Sequence, residues 1–287
     1  MADIAAILVN YNAGPELRRA LQSIADELSG RDWEAVVVDN DSVDGSGAIA
    51  HEFAPAVRLL HNVDNVGFGR GVNQGMAATT APVVLIMNPD CRLVPGAVRV
   101  LEEELRTHPE CAIVGPRILD PDGAVQGSAR GDPDMFTGLF GRTALLRKLM
   151  PGLSLSRRNV VSPAAMPSGS VSVAVDWLSG ACMLTRRAAF ERVHGFDERY
   201  FLYWEDADLC RRLRAFGYHI RYVPGAVAVH SVGHSSRHVR QSATRAFHES
   251  AFLYYTTHVV RGRRHPKWWI ARILLSARCW WQLRVNS

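Results

Sequence analysis

With 287 residues, 47% of them hydrophobic and 21% charged, the chain can bury a full core and has neither a disordered nor a fibrous composition. Its net charge of +5 is unevenly placed: residues 261–287 hold seven of the 33 Lys and Arg and none of the 28 acids. The basic character therefore belongs to the tail, which argues against a nucleic-acid-binding body and for a tail that meets something anionic.

Ile4–Val9 is an apolar run that predicts a first strand, ending in Asn10-Tyr11-Asn12. Pro15 suits an early helical position, and Leu17, Leu21, Ile24 and Leu28 recur down one helical face. Glu34–Val38 predicts a second strand, closed by Asp39-Asn40-Asp41-Ser42, and Val57–Leu60 a short third. A helix follows the segment Asn65-Val66-Gly67-Phe68-Gly69 and runs through Asn73 and Ala77. Val83–Asp90 opens with five apolar residues, read as a strand buried on both faces, and ends abruptly in Asn88-Pro89-Asp90. A helix over Pro95–Arg106 and a strand over Cys111–Gly115 complete the series. This alternation predicts an α/β fold, a mostly parallel sheet with helices on both faces.

From Pro116 the pattern changes. Asp120-Pro121-Asp122-Gly123 predicts a hairpin, and residues 131–172 a long loop with a helix near Leu145–Leu149. Val173–Thr185 is strand-like but broken at Ser179-Gly180. Arg186–Val193 predicts a short helix, Gly195–Glu198 a turn, Glu205–Phe216 an amphipathic helix with Leu209, Leu213 and Phe216 on one side, and Tyr218–Val229 a strand. The expected division is a catalytic body of residues 1–237 and a helical, basic and aromatic segment of residues 238–287.

Four constellations carry chemistry. Ligands of open α/β sheets bind beyond the carboxyl ends of the strands, so Asp90 stands where a hard cation and a phosphate would meet, although Asn-Pro-Asp also serves as a plain turn. Asp39, at the second strand's end, suits a nucleobase or ribose, whereas Asp44 suits a helix cap. Asn65-x-Gly67-x-Gly69-x-x-x-Asn73 would let backbone N–H groups approach a phosphate or sugar, but a tight turn fits equally. It is not the dinucleotide fingerprint, because Val72 occupies the third glycine position. In Tyr203-Trp204-Glu205-Asp206-Ala207-Asp208, three acids at a helix start suit the helix dipole. The aromatic residues before them would form a sugar-stacking wall and raise a carboxyl pKa towards that of a useful base. Of His230, His234 and His238, the last reads as an ordinary loop residue and His234 reads equally well either way. A zinc helix is disfavoured by Gly233 and by the lack of an H-E-x-x-H glutamate, and one histidine supplementing carboxylate and phosphate oxygens around a divalent ion fits better.

Taken in order, the segments Val9-Asn10-Tyr11-Asn12, Val38-Asp39-Asn40, Asn65-x-Gly67-Phe68-Gly69-x-x-x-Asn73-x-Gly75, Asn88-Pro89-Asp90, Trp177-Leu178-Ser179-Gly180, Gly195-Phe196-Asp197-Glu198, Glu205-Asp206-x-Asp208 and His230-x-x-Gly233 resemble an inverting glycosyltransferase of the GT-A, family-2 type. The resemblance covers about residues 4–237 and is greatest to the rhamnosyltransferase branch, which includes enzymes that move rhamnose from dTDP-rhamnose onto polyprenyl-diphosphate-linked N-acetylglucosamine. It implies a GT-A fold and a dTDP- or UDP-linked sugar donor held by Asn10, Asn12, Asp39, Asn65, Gly67, Gly69, Asn73 and Asn88. It further implies a Mg²⁺ or Mn²⁺ ion on Asp90 and His230, Asp206 as the base, and Glu205 beside it, with Trp204, at a lipid-linked or other glycan acceptor. Asn88 stands where many relatives carry the first aspartate of D-x-D. Two rivals are a sugar nucleotidyltransferase, disfavoured because Asn10–Pro15 lacks a phosphate-binding cation, and a non-catalytic nucleotide-sugar or membrane-binding protein.

In the tail, Arg261–Trp269 leads into a helix over Ile270–Val285 in which Ile270, Ile273, Leu274, Ala277 and Trp281 share one side. Basic residues beside interfacial tryptophans predict a helix lying on an anionic bilayer, with packing on the domain as the alternative. Five scattered cysteines read as reduced thiols, and Met1-Ala2-Asp3-Ile4 lacks a basic leader. The expected location is the cytoplasmic face of the membrane.

Overall fold

A computed structural model describes residues 2–132, 171–231, 240–260 and 262–285. The helix expected near Leu145–Leu149 and the residues Gly233, His234 and His238 lie outside them.

The N-terminal half alternates as its periodicity requires. The elements are β1 (Ile4–Asn10), α1 (Glu16–Glu27), β2 (Trp33–Asn40), a 3₁₀ turn (Ser46–Phe53), β3 (Val57–Asn62), α2 (Phe68–Ala77) and β4 (Val83–Met87). All seven residues of β1 are buried, because helices cover both faces of the sheet there. Leu17, Leu21, Ile24 and Leu28 bury the inner face of α1. Then follow β5 (Cys91–Leu93), α3 (Ala97–Thr107), β6 (Cys111–Leu119), β7 (Ala129–Arg130), β8 (Val173–Ala174), β9 (Trp177–Leu178), β10 (Cys182–Arg186), α4 (Arg187–Arg192), α5 (Glu205–Ala215), β11 (His219–His230), α6 (Arg240–His258) and α7 (Pro266–Val285).

Among the described residues the main sheet runs β3-β2-β1-β4-β10-β6-β11-β5, with β8 added to β11. The pairs β1–β2, β1–β4, β2–β3 and β6–β11 are parallel. Strand β10 is antiparallel to both of its neighbours, and β5 is antiparallel to β11, so the mostly parallel sheet admits these antiparallel strands. The apolar run of 173–185 is broken at Ser179-Gly180, and Cys182–Arg186 returns between β4 and β6. The turn at Asp120–Gly123 forms as expected, with Gly123 N–H donating to Asp120 O at 2.8 Å. Phe216 is exposed rather than packed beside Leu209 and Leu213.

The C-terminal segment forms two helices that pack back onto the body. Tyr254 of α6 is buried against Tyr200 and Ala207, and α7 rests on α6 through Leu275 and Ala251. The five cysteines are free, four of them buried.

Candidate active site

Register brings the candidate residues together. In the parallel half, Asn10 pairs with Asp39 and Asp39 with His61, so three neighbouring strands present consecutive polar side chains at their carboxyl ends. Asn10 Nδ2 donates to Asp39 Oδ1 at 2.5 Å, Ser46 Oγ at 2.8 Å and Ser42 Oγ at 3.0 Å. Asp39 Oδ2 accepts from Ser42 N–H at 3.1 Å and lies 3.2 Å from His61 Nδ1. Asn12, at φ 52°, accepts from Val43 N–H at 2.9 Å. Burial opposes ionisation of Asp44, but hydrogen bonds from Ser46 and Gly14 outweigh it and hold that carboxyl below its ordinary value. Asp44 thus secures the loop, while Gly45 rather than Asp44 stands at the N-cap of the 3₁₀ turn. Asp39 is itself only 3% exposed, and its outer neighbour His61 is the accessible member of the row.

At the end of β4 the antiparallel pairing of Cys91 with His230 sets Asp90 beside that histidine. Asp90 Oδ1 lies 3.2 Å from His230 Nε2, and Asn88 Nδ2 lies 3.3 Å from the same nitrogen. The opposite ring nitrogen is fixed by Gln126. Its amide NH₂ donates to Asp120 Oδ1 at 2.8 Å and His230 O at 2.9 Å, so its Oε1 must be the group 3.1 Å from His230 Nδ1. An amide oxygen only accepts, so the Nδ1 edge meets it as a donor and the Nε2 edge faces Asp90. Two ligands at about 2.1 Å and at right angles around an octahedral ion sit about 3 Å apart. The Asp90–His230 pair fits that separation. Among the described residues no third His, Cys, Asp or Glu joins them, which suits an ion completed by substrate phosphate oxygens and water.

Asp206 opens the first turn of α5. Its Oδ2 accepts from Gly180 N–H at 2.9 Å and its Oδ1 from Ala207 N–H at 2.8 Å. One residue on, Ala181 O accepts from Asn88 N–H at 2.9 Å. Two hydrogen bonds across Gly180-Ala181 therefore join the segment bearing Asp206 to the one bearing Asp90 and His230, although 90, 206 and 230 are far apart along the chain.

Other candidates have partners inside the protein. Gly67, at φ 89°, lets the chain pass Phe201, whose carbonyl oxygen would lie 2.3 Å from any added Cβ. Gly69 packs on Phe196. Asn65 Oδ1 accepts from Gly67 N–H at 3.0 Å, and Asn73 holds the backbone of Phe196 at 2.9 and 3.0 Å. These four residues build the loop and its packing. Glu205 is only 5% exposed. Burial first, and then the neighbouring Asp206 carboxylate, push its carboxyl well above the ordinary value. The Trp204 ring faces α6 instead of forming a sugar wall, 5.3 Å from the ring of Tyr254 and 5.9 Å from that of Phe247. Gln126 and His61 were absent from the sequence reading: each acts on a residue far along the chain, and no local pattern announces that.

The site thus sets a strand-end carboxylate beside a histidine, with a second carboxylate at a helix start. The chain belongs to glycosyl transferase family 2: the model of that family matches residues 5–162, and one described as the N-terminal domain of galactosyltransferase matches residues 165–237. It is a glycosyltransferase. Among its relatives, an N-acetylglucosaminyl-diphospho-decaprenol L-rhamnosyltransferase of Mycobacterium tuberculosis is 35% identical over 94% of this chain and 88% of its own length. The rhamnosyltransferase WbbL of Escherichia coli is 40% identical over 33% of this chain and 36% of its own. The fold is shared with a mannosyltransferase of Pyrobaculum calidifontis solved with GDP-mannose and Mn²⁺, at TM-score 0.60 and 18% identity over 99% of this chain and 72% of that one.

Proposed function

We propose that the protein transfers L-rhamnose, with inversion, from dTDP-rhamnose to a polyprenyl-diphosphate-linked N-acetylglucosamine. The near full-length likeness to the mycobacterial rhamnosyltransferase supports the substrates. The observation that carries the mechanism is the hydrogen-bonded link from Asp206 through Gly180-Ala181 to Asn88, Asp90 and His230.

Asp206 takes the proton of the acceptor hydroxyl as that oxygen attacks the anomeric carbon, a step that general-base catalysis accelerates by about 10²–10⁴. Its two backbone N–H partners hold the carboxylate in one orientation. Asp39 and Asn10, with His61 outside them, bind the nucleoside end of the donor, and Asn88 the diphosphate end. Asp90 Oδ1 and His230 Nε2 would hold a divalent ion, and the imidazole favours Mn²⁺ over Mg²⁺. Such an ion supplies positive charge to the departing diphosphate.

The lipid-linked acceptor calls for work at a membrane surface. Among the described residues no helix is long and apolar enough to cross a membrane. Helix α7 rests on α6 through Ala271 and Leu275 and leaves Trp269, Ile270, Ile273, Leu274, Trp280 and Trp281 exposed. This apolar outer face, set among seven cations and no acid, seats the enzyme on the cytoplasmic leaflet. The test is purified protein with Mn²⁺, a panel of nucleotide sugars and N-acetylglucosaminyl-diphospho-polyprenol. Rhamnose transfer from dTDP-rhamnose, ahead of every other donor, is the expected result; preference for another sugar overturns the donor assignment.

A further inference from the structure

The segment that carries Asp206 is gripped from outside the GT-A body. Asp208, in the same first turn of α5, is 1% exposed, and both of its carboxylate oxygens are taken. Oδ2 accepts from Arg212 Nε at 2.6 Å, within the helix. Oδ1 accepts at 2.6 Å from Nε2 of His258, the last residue of α6 and 50 positions away.

The rest of α6 bears on the same few residues. Ser250 Oγ donates to Leu202 O at 3.0 Å. Phe247 lies 5.8 Å from the Tyr203 ring, and Tyr254 packs on Tyr200, Trp204 and Ala207. Arg211 reaches from α5 to Tyr254 Oη and to His258 O, each at 3.3 Å. The gripped segment is strained: Tyr203 and Trp204 follow each other at φ 68° and 70°. Non-glycine residues hold that conformation only where their surroundings over-determine it. Here the surroundings are α6.

Resting on the reading of Asp206 as the base, we propose that His258 is a positioning residue for the transfer reaction. Through Asp208 it fixes the first turn of α5, and with it the direction in which the Asp206 carboxylate points. Helix α6 is then part of the catalytic apparatus and more than a stalk for α7.

The test compares His258→Leu, His258→Gln and Asp206→Asn with the full-length wild type, using dTDP-rhamnose and a short-chain prenyl-diphosphate-N-acetylglucosamine in detergent, where membrane seating plays no part. His258→Leu is expected to keep the donor KM and lose kcat on the order of tenfold to a hundredfold, the cost of a small misplacement of a reacting group. His258→Gln, which retains an N–H donor, recovers most of that loss. A His258→Leu kcat within twofold of wild type, with Asp206→Asn inactive, overturns this inference alone. An active Asp206→Asn overturns the base assignment beneath it. If His258→Leu shows no cooperative melt, Ser250→Ala replaces it, cutting the bond to Leu202 without emptying the core. An unchanged kcat in that variant also overturns the inference.

Discussion

Glu205 is a carboxyl group with almost no water around it, set beside another carboxylate, and its Oε2 has no hydrogen-bond partner among the described residues. Its raised pKa means that the folded protein holds the proton more tightly than the unfolded chain, in which a glutamate releases it near pH 4.5. The associated stability is complete below that pH and is lost as pH rises through the folded-state value, where a buried charge must be carried. Glu205→Gln is neutral throughout. Its melting temperature is expected to gain on wild type between pH 5 and pH 8, followed by circular dichroism; a difference that stays flat or shrinks contradicts this account. The same residue shows where sequence falls short. Three acids at a helix start were visible, but that Glu205 and Asp208 point inward depends on what packs against α5: Glu205 Cβ lies 3.8 Å from the site of a Gly69 Cβ, and Asp208 meets His258 of α6.

At the scale of elements, most strands and helices were legible because apolar period and punctuation are local properties. Strand β1, helix α2 and strand β11 fall within a few residues of their expected bounds. The antiparallel return of β10 was not legible, since it depends on which gap in the sheet remains open. The Gly-rich run before α2 was legible as a turn and as an N-terminus, but its glycines answer to neighbours from residues 196–201, more than 120 positions later. Gly67→Ala makes this measurable. The substitution meets both a positive φ and the Phe201 carbonyl oxygen, and it is expected to cost about 2 kcal/mol or more by urea denaturation. Turnover should fall as well, because Phe201 leads directly into the turn that bears Asp206. A variant as stable and active as wild type would show that the close approach is unimportant.

At the scale of the molecule, the tail's composition disclosed a helix, a charge and an apolar side. The structure adds which side is spare. The residues that share the predicted face, Ile270, Ile273, Leu274 and Trp281, point away from the body, while Ala271 and Leu275 turn inward. Replacing Trp269, Ile273 and Trp280 with serine should leave folding and detergent-phase turnover intact, since none is buried. It should release the protein from phosphatidylglycerol-containing liposomes in a sedimentation assay; retention on such vesicles would assign this face to another partner. That the body and tail are joined at the turn bearing Asp206 was beyond reach from sequence, because the His258–Asp208 contact has no local signature.

The central claim is that a carboxylate at position 206 removes the proton at a centre shared with Asp90 and His230. Single-turnover transfer from pre-bound dTDP-rhamnose by Asp206→Asn tests it most directly. The account predicts donor binding equal to wild type with a chemical step slowed by about 10²–10⁴. A transfer step within a few-fold of wild type would contradict it.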